Sequence, residues 1–312
     1  MADRRSPDGD TGRDGALAAT ESLDLSIVVA LYNRLELTRA FLDSLARTCE
    51  PWCYEVILVD DGSTDGTREY LATLGAPYRV ILNAERRGYA GSNNVGAAMA
   101  RAPILALLNN DLVLTPRWLE PMLACLESAP DVGAVGNVHR NPRDGLVDHA
   151  GVAVHLDGST FHSYKHRRGV PPGECREMPA VSAACLVMHR ARFREMGGFD
   201  EGYMNGSEDI DLCARLRCAG YRLVVANRSV IWHHVSSSPG RLDHVDRNAR
   251  RLQERFGAEL RDWGRPIWAQ EYLNRYARRP WRARPWLLVR AAGEVLVRAA
   301  TGRGARPWRS DQ

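Results

Sequence analysis

The chain has 312 residues, 45% of them hydrophobic and 26% charged, enough to bury a full core and a small second module, which excludes a disordered polymer or a disulfide-stapled miniprotein. Seven cysteines without a CxxC pair point to a reducing compartment and away from a zinc ribbon. The net charge of +4 is uneven, because residues 241–312 carry 17 arginines against 8 acids and leave a mildly acidic body.

Residues 1–22 are rich in Asp, Gly, Arg and Ser and lack an apolar run; they read as a disordered leader, neither signal peptide nor anchor. No apolar stretch reaches the roughly 18 residues of a membrane span, so a cytoplasmic protein is expected. From Leu25 the pattern becomes regular. Leu25–Leu31 is an apolar run of strand length, followed by polar Tyr32-Asn33-Arg34 and a helical stretch to about Arg47. A second strand, Glu55–Val59, ends in Asp60-Asp61-Gly62-Ser63-Thr64-Asp65, and Thr67–Leu74 reads as a helix. A third, Tyr78–Leu82, leads through Arg86-Arg87-Gly88 into a helix over about Ala90–Ala100, and a fourth, Ile104–Leu108, stops at Asn109-Asn110-Asp111. Repetition of strand, polar loop and helix predicts an α/β fold, a mostly parallel twisted sheet with helices on both faces. Such a sheet binds ligand beyond the carboxyl ends of its strands, where Tyr32-Asn33, Asp60-Asp61 and Asp111 gather. Neither GxGxxG after the first strand nor GxxxxGK[ST] anywhere is present, which removes the main support for a dinucleotide or P-loop site.

Beyond Asp111 the spacing predicts a helix over Pro116–Leu126, a strand over Val132–Val138 and a hairpin around Val152–His162. Val181–His189 is regular again. A short helix to Met196, the turn Gly197-Gly198 and a helix over Glu208–Cys218 follow, then two short strands within Tyr221–Trp232 and helix from Arg241. Asp111, the cluster Glu208-Asp209-Ile210-Asp211 and the pair His233-His234 offer donors for a hard divalent cation, with a carboxylate left over as a base. Taken singly, an acid after a strand is usually a cap or turn residue, and a histidine pair usually a surface or core feature; order and spacing taken together favour the site.

Six segments in order, Ser26-Ile-Val-Val-Ala-Leu-Tyr-Asn33, Val59-Asp-Asp-Gly-Ser-Thr-Asp65, Arg87-Gly-Tyr-Ala-Gly91, Leu108-Asn-Asn-Asp111, Gly197-Gly-Phe-Asp200 and Gly206-Ser-Glu-Asp-Ile-Asp-Leu-Cys213, closely resemble family 2 glycosyltransferases of the GT-A fold. The contexts around Asp111 and Asp209 look most similar to the rhamnosyltransferase branch. The resemblance runs from about Leu25 to Ser237. It implies a catalytic domain over residues 23–240, with a nucleotide-binding half (23–111) and an acceptor-binding half (112–240), and a basic helical extension over 241–312. It further implies a nucleoside-diphosphate sugar held by Tyr32, Asn33, Asp60, Asp61, Arg87, Asn109, Asn110 and Asp111. Asn109 stands where the family's DxD motif often begins with Asp, leaving Asp111 as the main acidic ligand for Mg²⁺ or Mn²⁺. His233, directly after Trp232, matches the later metal-binding histidine better than His234 does. Asp209 matches the catalytic base beside Glu208, for an inverting transfer to the hydroxyl of a glycan, lipid-linked or small-molecule acceptor. Clustering of these two carboxylates is expected to raise one pKa.

Other residues read as structural: Asn94 and Gly96 for helix packing, Gly62 and Gly66 for turns, Ser63 and Asp65 as caps. The segment His139–Cys175, with His149, His155, His162 and His166, has no fixed metal spacing and reads as acceptor-side or surface. A QxxRW motif and membrane spans are both missing, as expected of a non-processive enzyme. Ten arginines between Arg275 and Arg309 interleave with Trp281, Trp286 and Trp308. Arg290, Glu294 and Arg298 form one polar stripe on an apolar helix, which lies on the inner face of a membrane or packs on the catalytic domain or a second copy in a homodimer. No nucleic-acid reading motif accompanies these charges. Two rival readings are a catalytically silent nucleotide-sugar or glycan binding module and a nucleotide-sugar oxidoreductase.

Overall fold

The computed structural model describes residues 23–234, 244–276 and 280–301; the leader read for residues 1–22 lies outside them. In chain order the first half is β1 (Leu25–Leu31), α1 (Leu35–Thr48), β2 (Tyr54–Asp60), α2 (Thr67–Leu71), β3 (Tyr78–Leu82), α3 (Gly88–Met99) and β4 (Ile104–Leu108). The second half is β5 (Leu112–Val113), α4 (Glu120–Glu127), β6 (Val132–Arg140), β7 (Val147–His149), β8 (Val152–Val154), β9 (Thr160–His162), β10 (Cys175–Glu177), β11 (Cys185–His189), α5 (Arg190–Glu195), α6 (Glu208–Cys218) and β12 (Arg222–His233). The helices α7 (Val245–Tyr276) and α8 (Pro285–Thr301) complete the described chain.

One sheet runs in the order β10-β12-β6-β11-β4-β1-β2-β3, with β5 on β12 and β7 on β6. β3, β2, β1 and β4 are parallel. β11 lies antiparallel between β4 and β6, and β6 pairs parallel with β12. The unbroken apolar runs of β1 and β2 follow from burial on both faces, since successive side chains point to opposite sides. Val28, Ile57 and Val59 join Ala90 and Ala97 of α3 in one core. Ile27, Val29 and Leu58 join Phe41 and Leu45 of α1 and Met122 and Leu126 of α4 in the other. A Cβ at Gly96 would collide with Val28, so this glycine lets α3 ride directly on the sheet.

Several boundaries differ from the sequence reading. α4 starts at Glu120, and the proline in its first turn is Pro121, not Pro116. The two short strands expected within Tyr221–Trp232 are one strand, β12, with a register shift between Ala226 and Val230. The polar triplet Asn227-Arg228-Ser229 resembles a turn, yet Asn227 and Ser229 are buried. Their hydrogen bonds are made inside: Asn227 Nδ2 donates to the Pro172 carbonyl (2.9 Å), Asn137 Nδ2 to Ser229 Oγ (3.0 Å), and Ser229 Oγ to the Trp118 carbonyl. Cys125 of α4 and Cys175 of β10 are joined by a disulfide, a pairing that the cysteine spacing did not point to. The other five remain thiols.

α7 packs on β8 and α6. Leu287, Ala291 and Val295 of α8 pack with Trp268 and Ala269 of α7, while Trp286, Val289, Leu296 and Val297 stay exposed. Among the described residues no helix is long and apolar enough to cross a membrane.

Candidate active site

The loops after the strand ends enclose a cleft of about 400 Å³. Of the donor-side residues expected from sequence, Tyr32, Asp61, Asn109, Asn110 and Asp111 line it, whereas Asn33, Asp60 and Arg87 do not. Asp60 is fully buried and accepts from the N–H groups of Gly62 and Ser63 and from Arg68 Nε (2.6 Å). Asn33, at φ 56°, donates its N–H to Ser63 Oγ (2.7 Å) and accepts from the Thr64 N–H (2.7 Å). Both therefore tie the loops after β1 and β2 together. Asp65 completes that tie by accepting from the N–H groups of Leu35 (3.0 Å) and Thr67 (3.2 Å), at the starts of α1 and α2, which satisfies orphan donors at both helix ends.

Asp61 faces the cleft on a fixed mount. It accepts from Asn83 Nδ2 (3.0 Å) and from the N–H groups of Arg87 (2.7 Å) and Gly88 (2.9 Å). Arg87 thus contributes its backbone, and it is the guanidinium of Arg86 that covers the Tyr32 ring, 3.8 Å from the centroid. Asn110 Nδ2 donates to Thr38 Oγ1 (2.9 Å), holding the end of β4 against α1.

Deeper in the cleft, His233 Nε2 stands 3.2 Å from Asp111 Oδ1. Two neighbouring ligands on an octahedral Mg²⁺ at about 2.1 Å lie about 3.0 Å apart, so these donors fit a shared hard cation. His234 instead donates its backbone N–H to the Asp111 carbonyl (2.9 Å), so His233 rather than His234 faces the acid.

Behind His233 the structure reveals what spacing does not. His139 and His149 are buried and group with His233 as potential metal-ligating side chains. His139 Nδ1 lies 3.0 Å from His233 Nδ1. For Nε2 of His233 to offer a lone pair to a cation, its proton must sit on Nδ1, and His139 Nδ1 is placed to accept it. Burial holds the pKa of His139 well below the ordinary value, and neighbouring His149 and His233 add to the effect, which keeps the imidazole neutral and able to accept. His139→Phe should retain the fold and weaken Mn²⁺ binding by about 10- to 100-fold, as read by calorimetric titration. Unchanged affinity would show that His233 orients itself.

Glu208 and Asp209 open α6, where the helix dipole favours carboxylates, and both line the cleft. Glu208 Oε2 accepts from the Gly206 N–H (2.6 Å). Asp209 accepts from the N–H groups of Ala183 (3.2 Å) and Ile210 (2.9 Å). Its pKa is raised, chiefly by burial, against these hydrogen bonds and the charge of His162, which lower it; desolvation, not the expected crowding by Glu208, is the cause. Asp211 points away and is held by Arg215 Nε (2.8 Å), Arg255 Nη1 (2.6 Å) and Tyr203 Oη (3.2 Å). Asp148, His149, Phe161 and His162 also line the cleft. Burial pushes the Asp148 carboxyl up, but His162 and Lys165 outweigh it and hold the group well below the usual carboxylate range.

The sequence pattern of Glycosyl transferase family 2 matches residues 26–195. The chain is 34% identical over 225 residues to the O-antigen biosynthesis protein RfbC of Myxococcus xanthus, covering 69% of this chain and 17% of that protein. It is 28% identical over 242 residues to N-acetylglucosaminyl-diphospho-decaprenol L-rhamnosyltransferase of Mycobacterium tuberculosis, covering 70% and 78%. A solved structure of the mannosyltransferase PcManGT from Pyrobaculum calidifontis, in complex with GDP-Man and Mn²⁺, superposes with a TM-score of 0.55 at 25% identity, covering 92% of this chain and 78% of that one. The chain spans half or less of the length of several of the curated relatives it matches.

Proposed function

The chain belongs to glycosyl transferase family 2, and from that premise we propose that it is an inverting, divalent-metal-dependent glycosyltransferase that moves one sugar from a nucleoside-diphosphate sugar to an acceptor hydroxyl. The observation that carries this reading is the convergence of Asp111, His233 and Asp209 on one cleft. Asp61 and the Arg86-covered Tyr32 bound its nucleoside end. Asp111 and His233 would hold Mg²⁺ or Mn²⁺, which when bound stabilises the charge gathering on the departing diphosphate. Asp209 accepts the proton of the attacking acceptor hydroxyl. Its raised pKa makes it a stronger base than an ordinary carboxylate. The loop around Ala183 fixes the orientation of that carboxylate and is itself held by the Tyr89 hydroxyl, which donates to the Ala183 carbonyl (2.8 Å). A rhamnosyl donor is the first to try, given the named mycobacterial relative.

Incubation with a panel of nucleotide sugars and Mn²⁺ tests the reading. One donor should release nucleoside diphosphate faster when an acceptor is added, and NMR of the product should show an anomeric configuration opposite to that of the donor. Retained configuration defeats inversion. A donor that raises the melting temperature but is never turned over would favour the silent binding module.

A further inference from the structure

Phe161 and His162 line both the cleft and a smaller neighbouring cavity of about 100 Å³ between the β8–β9 hairpin region and α7. Its chemistry is the reverse of the cleft's. The cleft gathers carboxylates, Asp61, Asp111, Asp148, Glu208 and Asp209. The annex presents Lys165, Arg167 and Arg275 against a single acid, Glu271, within walls of Trp268 and Tyr272.

That acid is already spoken for. Ser163 Oγ donates to Glu271 Oε1 at 2.6 Å, Arg176 Nη1 lies 3.4 Å from the same oxygen, and Arg167 Nη2 lies 3.9 Å from Oε2. Lys165 faces Asp148 at 3.3 Å, a carboxylate it shares with His162 (3.5 Å). Arg275 takes part in none of these ion pairs. Burial first, and then the charge of Arg275, lower the pKa of His155 on the same wall, against the charge of Asp157. The annex therefore carries surplus positive charge beside aromatic surface, and such a cavity favours an anion with several acceptor oxygens.

Resting on the glycosyltransferase reading, we propose that the annex is an acceptor subsite for a phosphate ester, so that the acceptor places its hydroxyl at Asp209 and its phosphate among Arg275, Arg167 and Lys165. His162 stands between the two ends: it lines both spaces, and its charge is felt by Asp209. A phosphate esterified to a soluble sugar and one carried on a lipid offer the same chemistry to these cations, and they differ in what continues beyond it.

The test is calorimetric titration of the full chain in EDTA with no nucleotide sugar, so that binding is read independently of transfer. Glucose 1-phosphate should bind at least about tenfold tighter than glucose, and Arg275→Glu should remove about tenfold of that affinity and Arg275→Gln a smaller part, as expected for one charge-assisted contact. Asp61→Asn, on the donor side, should leave this binding unchanged. Tighter binding of dodecyl phosphate than of glucose 1-phosphate assigns the phosphate to a lipid-linked acceptor; the opposite order assigns it to a soluble one. Equal affinity for glucose and its phosphate, no binding of either ester, or loss in Asp61→Asn instead of Arg275→Glu would overturn the proposal. Phosphate binding without nucleoside diphosphate release would defeat the enzymatic reading and leave the cationic subsite standing.

Discussion

Asp209→Asn should lower kcat by about 10²- to 10⁴-fold, the usual contribution of a positioned general base, while leaving nucleoside diphosphate affinity close to that of the unaltered protein. Asparagine keeps the shape of the side chain and cannot take the acceptor's proton. Stopped turnover with retained nucleotide binding, measured by product release and by titration, would place the residue in chemistry rather than in binding. Turnover within a factor of a few of wild type removes Asp209 as the base. The pH dependence adds a second readout. Burial raises the pKa of Asp209, so the wild-type rate should fall on the acid side at a pH above that of an ordinary carboxylate, and the variant should lack this limb. Stability follows with opposite sign. A carboxyl whose folded pKa exceeds its unfolded value contributes stability that is present below the unfolded pKa and is lost as pH rises through the folded one. Above its folded pKa the ionised Asp209 therefore weighs against the fold, and thermal melts should show no loss of stability from its neutral replacement.

Asp111→Ala should reduce kcat/KM by about 10²- to 10³-fold, comparable to losing one preorganised electrostatic contact in a reaction that develops charge. Mn²⁺ should no longer raise the melting temperature in the presence of nucleoside diphosphate. The control is His234→Ala. The bond of His234 to the Asp111 carbonyl is made by its backbone N–H, so this change should leave metal binding as it was. Equal loss in both variants would mean that the loop and not the carboxylate was damaged. Retained Mn²⁺ response in Asp111→Ala would separate the acid from the cation altogether.

The strands and loops of the first half were legible because each is local: an apolar run, a polar stop, a helical stretch. Asp111, Asp209 and His233 could be placed because they terminate or begin such elements. The division of labour among neighbouring acids could not. Asp60 and Asp61 are adjacent, but strand geometry turns one inward to Arg68 and the other to the cleft, and nothing in their spacing says which. The same holds for Arg86 and Arg87. His139 and His149 come from β6 and β7, and their meeting with His233 depends on β12 pairing with β6 across more than ninety residues of sequence. The signal available was weak: two histidines within or beside short apolar segments, where burial would demand a partner. The continuity of β12 was hidden for a related reason, since Asn227 and Ser229 read as a turn until their hydrogen-bond partners are seen.

β11 runs against its neighbours, and its first residue, Cys185, stands beside Leu108 at the end of β4. That reversal brings Ala183 and Ala184 to the same rim as Asn109, whose N–H donates to the Ala184 carbonyl (2.9 Å). The carboxylate expected to remove a proton and the aspartate expected to meet the cation are thus gauged against each other by ladder pairing, with no hinge between them. Evolutionary change in which sugars are used must then come from the surrounding loops, because sliding this seam by one position would misalign both partners at once.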